Sequence, residues 1–298
     1  MRLSIIIPTC NRARSLMRLL RSLEALEHPN SSQVEVLVVD NGSSDETGGL
    51  LLQEQGRRRK FSLRVLQEKQ RGKASALNLA LSSAKGDILF GVDDDVVVHP
   101  QWLVKHFECY RTTNFGGVQG RVLPGVDPEG RPADQKRLRE YNIPIVDYGE
   151  EIREIRGLTG TNMSFKREVF EKVGFFDTRL GPGASGFSED TEYSIRIRKA
   201  GFKIGYTPYA IVYHELDPAR YGRAYNRMVQ YRKGLSRSIY RRDSIAFNVL
   251  PNLVANCIRF SLYKALRRSQ KAYKTEGRIM KYLGYLAGRW QRKMGKEP

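Results

Sequence analysis

The 298-residue chain is poor in cysteine, histidine and tryptophan, with three, four and two of them. Cys10, Cys109 and Cys257 lie far apart, with no CxxC and no Cys–His cluster. That excludes a disulfide framework and a structural zinc site, and it fits a reducing compartment. The GxxxxGK[ST] pattern is absent, which disfavours a generic ATPase. Long apolar runs are also missing. The N-terminal "MRLSIIIPTCNR" carries an apolar run too short for a signal-peptide core. The longest weakly polar stretch, 245–258, is interrupted by Asn248, Pro251, Asn252 and Asn256. It falls short of the ~20 apolar residues that span a bilayer. The expectation is a cytoplasmic chain with no membrane-crossing segment. Internal repeats and low-complexity tracts are absent.

Acidic residues are scarce in one region only. Residues 218–298 hold 20 Lys and Arg against 3 Asp and Glu, whereas 1–217 hold 31 against 29. The formal charge of +19 therefore belongs almost wholly to the last 81 residues. Such asymmetry speaks of partners rather than fold. The remainder is ordinary: 40% hydrophobic and 28% charged, in a chain long enough for a substantial core.

The first half alternates two periodicities. "LSIIIPT" (3–9), "VEVLVVD" (34–40), "FSLRVLQ" (61–67) and "DILFGV" (87–92) are apolar runs of strand length. Between and after them, 12–26, 72–84 and 99–110 place apolar residues at helical spacing, Leu16, Leu19, Leu20, Leu23 and Leu26 in the first. "NGSSDET" supplies turn and capping residues. This alternation predicts an α/β fold: a Rossmann-like, mostly parallel sheet with helices on both faces. Residues 119–156 are rich in charge, Pro and Gly and are expected to form loops with short strands. The glycine-rich 181–186 is expected to be mobile. A helix opens at Glu189, with Tyr193, Ile195 and Ile197 on its apolar face, and closes at Gly201. "FKIGYTP" and "AIVYHE" read as two strands.

Ligands of open α/β sheets bind beyond the carboxyl ends of the strands. Three such ends carry notable residues: Pro8–Thr9, Asp40 and the run Asp93–Asp94–Asp95. Three adjacent carboxylates repel one another, and strands disfavour Asp. Either they form a solvated turn or they hold a cation; hard divalent ions take oxygen ligands, often with substrate phosphates completing the shell. Arg71 and Lys73 stand at a helix start, where anions are favoured; a solvated basic turn is the plainer reading. Glu189–Asp190 suits either a helix cap or a general base behind a glycine-rich loop able to close over a substrate. His214 follows a strand and is either structural or a further metal ligand.

The ordered segments "SIIIPTCNR", "VEVLVVDNGSSDET", "RGKASALN", "FGVDDDVVV", "GTNMSFKREVFEKVGFFD" and "SEDTEYSIRIRKAGFKIGYTPYAIVYHE" resemble family 2 glycosyltransferases of the GT-A fold over about 3–216. The resemblance implies transfer of a sugar from a nucleotide-sugar donor (UDP-, GDP- or dTDP-) to a saccharide or lipid-linked acceptor, with inversion and with Mg²⁺ or Mn²⁺. It implies that Pro8, Thr9 and Asp40 hold the nucleoside, and that Arg71 and Lys73 border the base and phosphates. Asp93 would face the ribose and sugar, with Asp94 beside it on the donor side. Asp95 would hold the metal, with His214 contacting the metal or diphosphate. Asp190 would be the base, and Glu189 would help orient the acceptor or the sugar. The processive members' QxxRW motif is missing: "VQYRKG" has Gln230 but not the rest. Single-sugar transfer is therefore expected, in cell-surface polysaccharide or glycolipid synthesis. A nucleotidyltransferase would leave Glu189–Asp190 without a role, and a non-catalytic binding protein would not need both acidic points.

Three regions are expected: a nucleotide-sugar half (1–118), an acceptor half with the base (119–216) and a basic, mainly helical extension (217–298). In the extension, Tyr221, Tyr225, Met228, Leu235 and Ile239 fall near one helical face. Residues 259–294 mix Tyr263, Leu266, Tyr273, Tyr282, Leu286 and Trp290 with cations. Such helices contact anionic membrane surfaces or cover a core. Nucleic acid is not expected, because no binding motif for it is present.

Overall fold

The computed structural model describes residues 1–29, 32–126, 145–220 and 222–295. Tyr221 and most of the expected loop region, 127–144, lie outside the described residues. Two compact units are present: 1–126, 145–177 and 189–216 form the first, and 178–188 with the rest of the chain from 217 form the second.

The first unit is built on a nine-stranded sheet. Its strands are β1 (Arg2–Thr9), β2 (Gln33–Asp40), β3 (Ser62–Gln67), β4 (Ile88–Val92), β5 (Val96–Val98), β6 (Gly117–Pro124), β7 (Arg153–Ile155), β8 (Asn162–Lys166) and β9 (Ile204–His214). Their order is β3-β2-β1-β4-β8-β6-β9-β5, with β7 also on β9. β1, β2, β3, β4, β6 and β9 share one direction, while β5, β7 and β8 run against them. The sheet is thus mixed and mostly parallel, as the alternating pattern predicts.

Side chains of β1 alternate between two cores, the mark of a sheet covered on both faces. Leu3, Ile5 and Ile7 join one cluster with Leu16, Leu19, Leu20 and Leu23 of helix α1 (Ala13–Glu24). Ile6 joins the other, with Leu77 and Leu81 of α3 (Lys73–Ser83). The short α2 (Thr47–Gln55) lies between β2 and β3 in sequence, and Asp45 Oδ1 accepts the Thr47 N–H at its start (3.0 Å). Trp102 and His106 of α4 (Trp102–Thr112) reach into the first core, where Phe90 meets both rings edge-on. Asn162 Oδ1 accepts from Trp102 Nε1 (2.7 Å) and pairs with His106 Nε2 (2.9 Å). Two further helices, α5 (Arg167–Val173) and α6 (Glu189–Lys199), complete this unit. On α6, Tyr193 and Ile197 are buried as expected, but Ile195 is only half-buried and Ser194 takes the core position. The two strands expected at 202–215 are one. Pro208 lacks an N–H and falls where the β6–β9 register slips, between Gly120–Thr207 and Arg121–Ile211, so the strand continues past it.

In the second unit, α7 (Arg223–Tyr240) and α9 (Ser269–Lys293) run parallel. Glu276 accepts from Arg223 and Arg227 near their starts, and Arg292 donates to Ser238 near their ends (2.9 Å). Glycines bring the backbones together: a Cβ on Gly284 would lie 2.0 Å from the Tyr231 carbonyl oxygen. The buried face of α7 is therefore Asn226, Val229, Gly234, Ser236 and Ser238, and Met228, expected on an apolar face, is exposed. Between them a π-helical turn (Ile245–Val249) continues into α8 (Leu250–Ala265). Ile245–Ala265 forms 21 residues of helix, long and apolar enough by length and composition to cross a membrane. This corrects the expectation that polar residues break the segment. Pro251 falls just after the π-helical turn, where the helix changes from π to α, and Asn252 and Asn256 bond the carbonyls of Asn248 and Asn252 one turn back (2.8 and 2.7 Å).

The loop 181–186 is held rather than open. Gly186 N donates to Gly181 O (2.8 Å), and Ser185 Oγ pairs with Ser236 Oγ of α7 (2.8 Å). Gly181, Gly183 and Gly186 all have φ near +90 to +107°, so these glycines serve left-handed turns.

Candidate active site

One edge of the sheet collects the ends of β1, β2, β4 and β9, the beginning of antiparallel β8, and the first turns of α3 and α6. Each strand brings its terminal residue there because an apolar run is buried up to that point: Ile7 before Pro8–Thr9, Val39 before Asp40, Val92 before Asp93.

The acidic run divides three ways. Asp93 turns toward α3 and β8: Lys73 Nζ donates to its Oδ1 (2.5 Å), and Thr161 Oγ1 to its Oδ2 (3.1 Å). Burial pushes the Asp93 carboxyl up, but the Lys73 ammonium more than offsets this, and the net shift is downward. Asp94 turns toward β1 and accepts from Thr9 Oγ1 (2.7 Å). Burial, with Asp95 beside it, pushes its carboxyl up to about 7. Asp95 turns toward β9. Its backbone carbonyl accepts from Glu215 N (2.8 Å), and Val96 pairs with His214, so Asp95 Oδ1 lies 3.4 Å from His214 Nε2. Arg12 approaches the other oxygen at 3.8 Å. Burial is the largest influence on Asp95 and raises it, with His214 and Arg12 opposing.

The second acidic point is Glu189–Asp190 at the start of α6. Glu189 is buried, and its Oε1 lies 3.5 Å from the same Lys73 Nζ. Burial raises its carboxyl to about 7, with Lys73 pulling the other way. Lys73 is held charged: burial alone would lower it, and Asp93 and Glu189 together reverse that. Asp190 is half-buried. Its Oδ2 accepts the Gly160 N–H (3.2 Å), and its Oδ1 accepts from Thr191 N (2.6 Å). Gly160 is itself close-packed on the lysine: a Cβ there would lie 2.8 Å from Lys73 Nζ.

Lys73, Asp93, Glu189 and Asp190 thus form one cluster, Thr9 with Asp94 a second contact, and Asp95 with His214 a third. Asp40 serves its own turn, accepting from Ser43 N (3.0 Å) and Gln67 Nε2 (3.3 Å). Pro8 lies buried beside Val39, and Arg71 is exposed just before α3. Among the described residues, none of these three makes a hydrogen bond or ion pair with the acidic cluster. Four partners escaped sequence reasoning: Arg12, Asn41, Gly160 and Thr161. Asn41 fixes the segment before α3, donating to Glu68 O and Gln70 O (3.1 and 2.8 Å) and accepting from Gly72 N (2.7 Å). All four sit inside recognisable motifs, but nothing in their spacing marks them.

Among the described residues, no group of three or more His, Cys, Asp or Glu stands ready to bind a metal alone. The pair Asp95–His214 nevertheless fits a divalent ion that shares its shell with phosphates. His214 Nδ1 donates to Glu215 O (2.5 Å), which turns Nε2 toward the Asp95 carboxylate. An imidazole nitrogen and a carboxylate oxygen at that separation are two ligand types that a divalent cation accepts.

Fold and site together define an α/β protein whose sheet edge gathers two acidic points around one lysine. The sequence pattern described as "Glycosyl transferase family 2" matches residues 4–174. The chain belongs to this family and is a glycosyltransferase of the GT-A fold. Glycosyltransferase AglE of Haloferax volcanii is 27% identical over 215 residues, 72% of this chain and 67% of that protein. Succinoglycan biosynthesis protein ExoM of Rhizobium meliloti is 28% identical over 235 residues, 78% of this chain and 73% of ExoM. The chain spans only half the length of a third relative, the probable glycosyltransferase YdaM of Bacillus subtilis. Among solved structures, the mannosyltransferase PcManGT of Pyrobaculum calidifontis, in complex with GDP-Man and Mn²⁺, has a TM-score of 0.66 at 21% identity. That likeness covers 98% of this chain and 88% of the other. S. aureus TarS 1–349 with UDP-GlcNAc has a TM-score of 0.55 at 16% identity, covering 99% and 93%. At these identities the structural likeness speaks for the fold.

Proposed function

We propose that the protein transfers a single sugar from a nucleotide-diphospho-sugar to an acceptor hydroxyl, with inversion at the anomeric carbon. The observation that carries the reading is the placement of two acidic points on either side of one lysine, at the carboxyl edge of the sheet. Residues 1–118 supply the donor side, with Pro8, Thr9, Asp40, Arg71, Lys73, Asp93 and Asp94. Residues 119–216 supply the acceptor side, with Glu189 and Asp190. Support comes also from PcManGT and TarS, whose complexes hold GDP-Man with Mn²⁺ and UDP-GlcNAc.

Asp190 takes the proton of the acceptor hydroxyl as its oxygen bonds to the anomeric carbon and the bond to the diphosphate breaks. Its second oxygen is held by Gly160 N–H, which fixes the carboxylate's orientation. Lys73 anchors Asp93 toward the donor and Glu189 toward the acceptor. Asp95 and His214 would hold Mg²⁺ or Mn²⁺, which when bound offsets the charge growing on the leaving diphosphate. The acceptor is a saccharide or lipid-linked saccharide in cell-surface polysaccharide or glycolipid synthesis, at the cytoplasmic side; ExoM is named for succinoglycan biosynthesis.

The test is donor turnover. Purified protein with Mn²⁺ is expected to release nucleoside diphosphate from at least one of the UDP-, GDP- or dTDP-sugars, and EDTA to suppress it. Release indifferent to EDTA would remove the metal from the account. A protein neither stabilised nor turned over by any of these donors would remove the donor class.

A further inference from the structure

The segment Ile245–Ala265 hides little of itself. Val249, Leu253, Asn256, Phe260 and Tyr263, buried or half-buried, recur every three or four positions and form one face. The opposite face is apolar and faces water. Phe247, Leu250, Val254, Ile258, Leu262 and Leu266 follow one another at the same spacing, with Phe247 91% and Ile258 65% exposed. At about 3.6 residues per turn they fall on one side of the helix. Apolar faces of this length on a soluble surface mark an interaction site.

Charge identifies the partner. Arg259 and Lys264, the segment's two charged residues, are exposed, and Arg259 falls one step around the helix from Ile258 at the margin of the stripe. Arg267, Arg268 and Lys271 follow at its end, all exposed. The acid nearest in sequence, Asp243, is committed to Arg237 and Arg241 (2.7 and 2.9 Å). A surface that is apolar along its length and cationic at one margin and at its C-terminal end matches a bilayer with anionic headgroups. A second copy of the chain would bring the same cations to the contact and repel. Nucleic acid would leave the stripe in water.

The packing decides the orientation. α7 and α9 are parallel and locked by Glu276 with Arg223 and Arg227, so α8 must run back between their ends, and it packs on α9. α9 carries seven Lys and Arg and one Glu, which exclude it from hydrocarbon. A membrane-crossing α8 would have to leave α9.

We propose that Ile245–Ala265 is an in-plane membrane anchor, lying at the surface of an anionic bilayer with its Phe247–Leu266 stripe inserted and its cations on the headgroups. The anchor stands independently of the sugar-transfer reading, since none of its residues belongs to the acidic edge site.

The experiment is co-sedimentation of the full chain with phosphatidylcholine vesicles, with and without phosphatidylglycerol, at low and high salt. Binding is expected to require phosphatidylglycerol and to weaken with salt. Ile258→Asp/Leu262→Asp should lower binding about tenfold or more, because two inserted side chains are replaced by charges. Both positions are exposed, so thermal unfolding should be unchanged. Failure to bind phosphatidylglycerol vesicles, or equal binding by the double variant, overturns the proposal. So does a solution dimer that the double variant dissolves while vesicle binding is absent. Alkaline carbonate should strip the bound chain from vesicles; resistance would mean a crossing helix and overturn the in-plane arrangement.

Discussion

Lys73 at the start of α3 and Glu189 at the start of α6 meet at 3.5 Å (Nζ to Oε1), so one ammonium spans the two acidic points of the site. The same nitrogen bonds Asp93. Lys73→Met keeps the apolar stem and removes the charge, leaving buried Glu189 and partly buried Asp93 without their counter-ion. Buried pairs broken this way cost about 3–5 kcal/mol, less here because Lys73 and Asp93 keep some solvent access; about 2 kcal/mol is expected. Thermal unfolding should fall by roughly 5 °C. Lys73→Arg should recover part of both stability and turnover. An unchanged melting temperature in Lys73→Met would show that the contact carries no weight.

Asp95→Ala should separate metal from donor. Nucleotide-sugar with Mn²⁺ is expected to raise the melting temperature of the wild type, since binding to the folded state stabilises it. In Asp95→Ala the Mn²⁺-dependent part of that rise should vanish. His214→Ala should reduce it less, because one carboxylate remains. A full Mn²⁺-dependent rise in Asp95→Ala would exclude Asp95 as a ligand.

His106 gives a stability test away from the site. Its imidazole is fully buried between Asn162 Oδ1 and Ser164 Oγ (2.9 and 3.0 Å), and burial lowers its pKa to about 4. An unfolded imidazole takes a proton near pH 6.5, whereas the folded one does so only near 4. The unfolded state therefore binds more protons in that window, and stability falls as pH drops through it. Urea unfolding from pH 7 to pH 4 should show the wild type losing about 3 kcal/mol more than His106→Gln. Parallel losses would mean that the imidazole is protonated inside the fold.

The product should be one sugar longer than the acceptor. Mass spectrometry of the reaction product checks this, and a ladder of lengths made by purified protein would contradict it.

The edge site was legible where chemistry conflicts with its surroundings. Three aspartates closing an apolar strand, and an acidic pair opening a helix, stand out in one dimension. Their partners do not. Thr9 and Asp94 are 85 positions apart, and only the β1–β4 pairing brings them together. Arg12, Asn41 and Thr161 are ordinary residues in sequence, and tertiary placement alone gives them roles. The strands 3–9 and 34–40 read correctly because burial on both faces leaves a continuous apolar run. The glycines of 181–186 misled, since glycine composition suggests freedom while their positive φ angles fix a folded turn against Ser236. The asparagines of α8 misled in the opposite sense: side chains bonded to the preceding turn do not interrupt a helix.

The central claim is that Asp190 is the base of a nucleotide-sugar-dependent transfer. Asp190→Asn is isosteric and can keep the Gly160 contact through its amide oxygen while giving up the Thr191 one, so it removes the charge with little change of shape. The direct measurement is donor affinity and nucleoside diphosphate release, compared between wild type and Asp190→Asn with the same donor and Mn²⁺. The account predicts unchanged affinity and release slowed about 10²–10⁴-fold, the usual contribution of a positioned base. Release at the wild-type rate would contradict it.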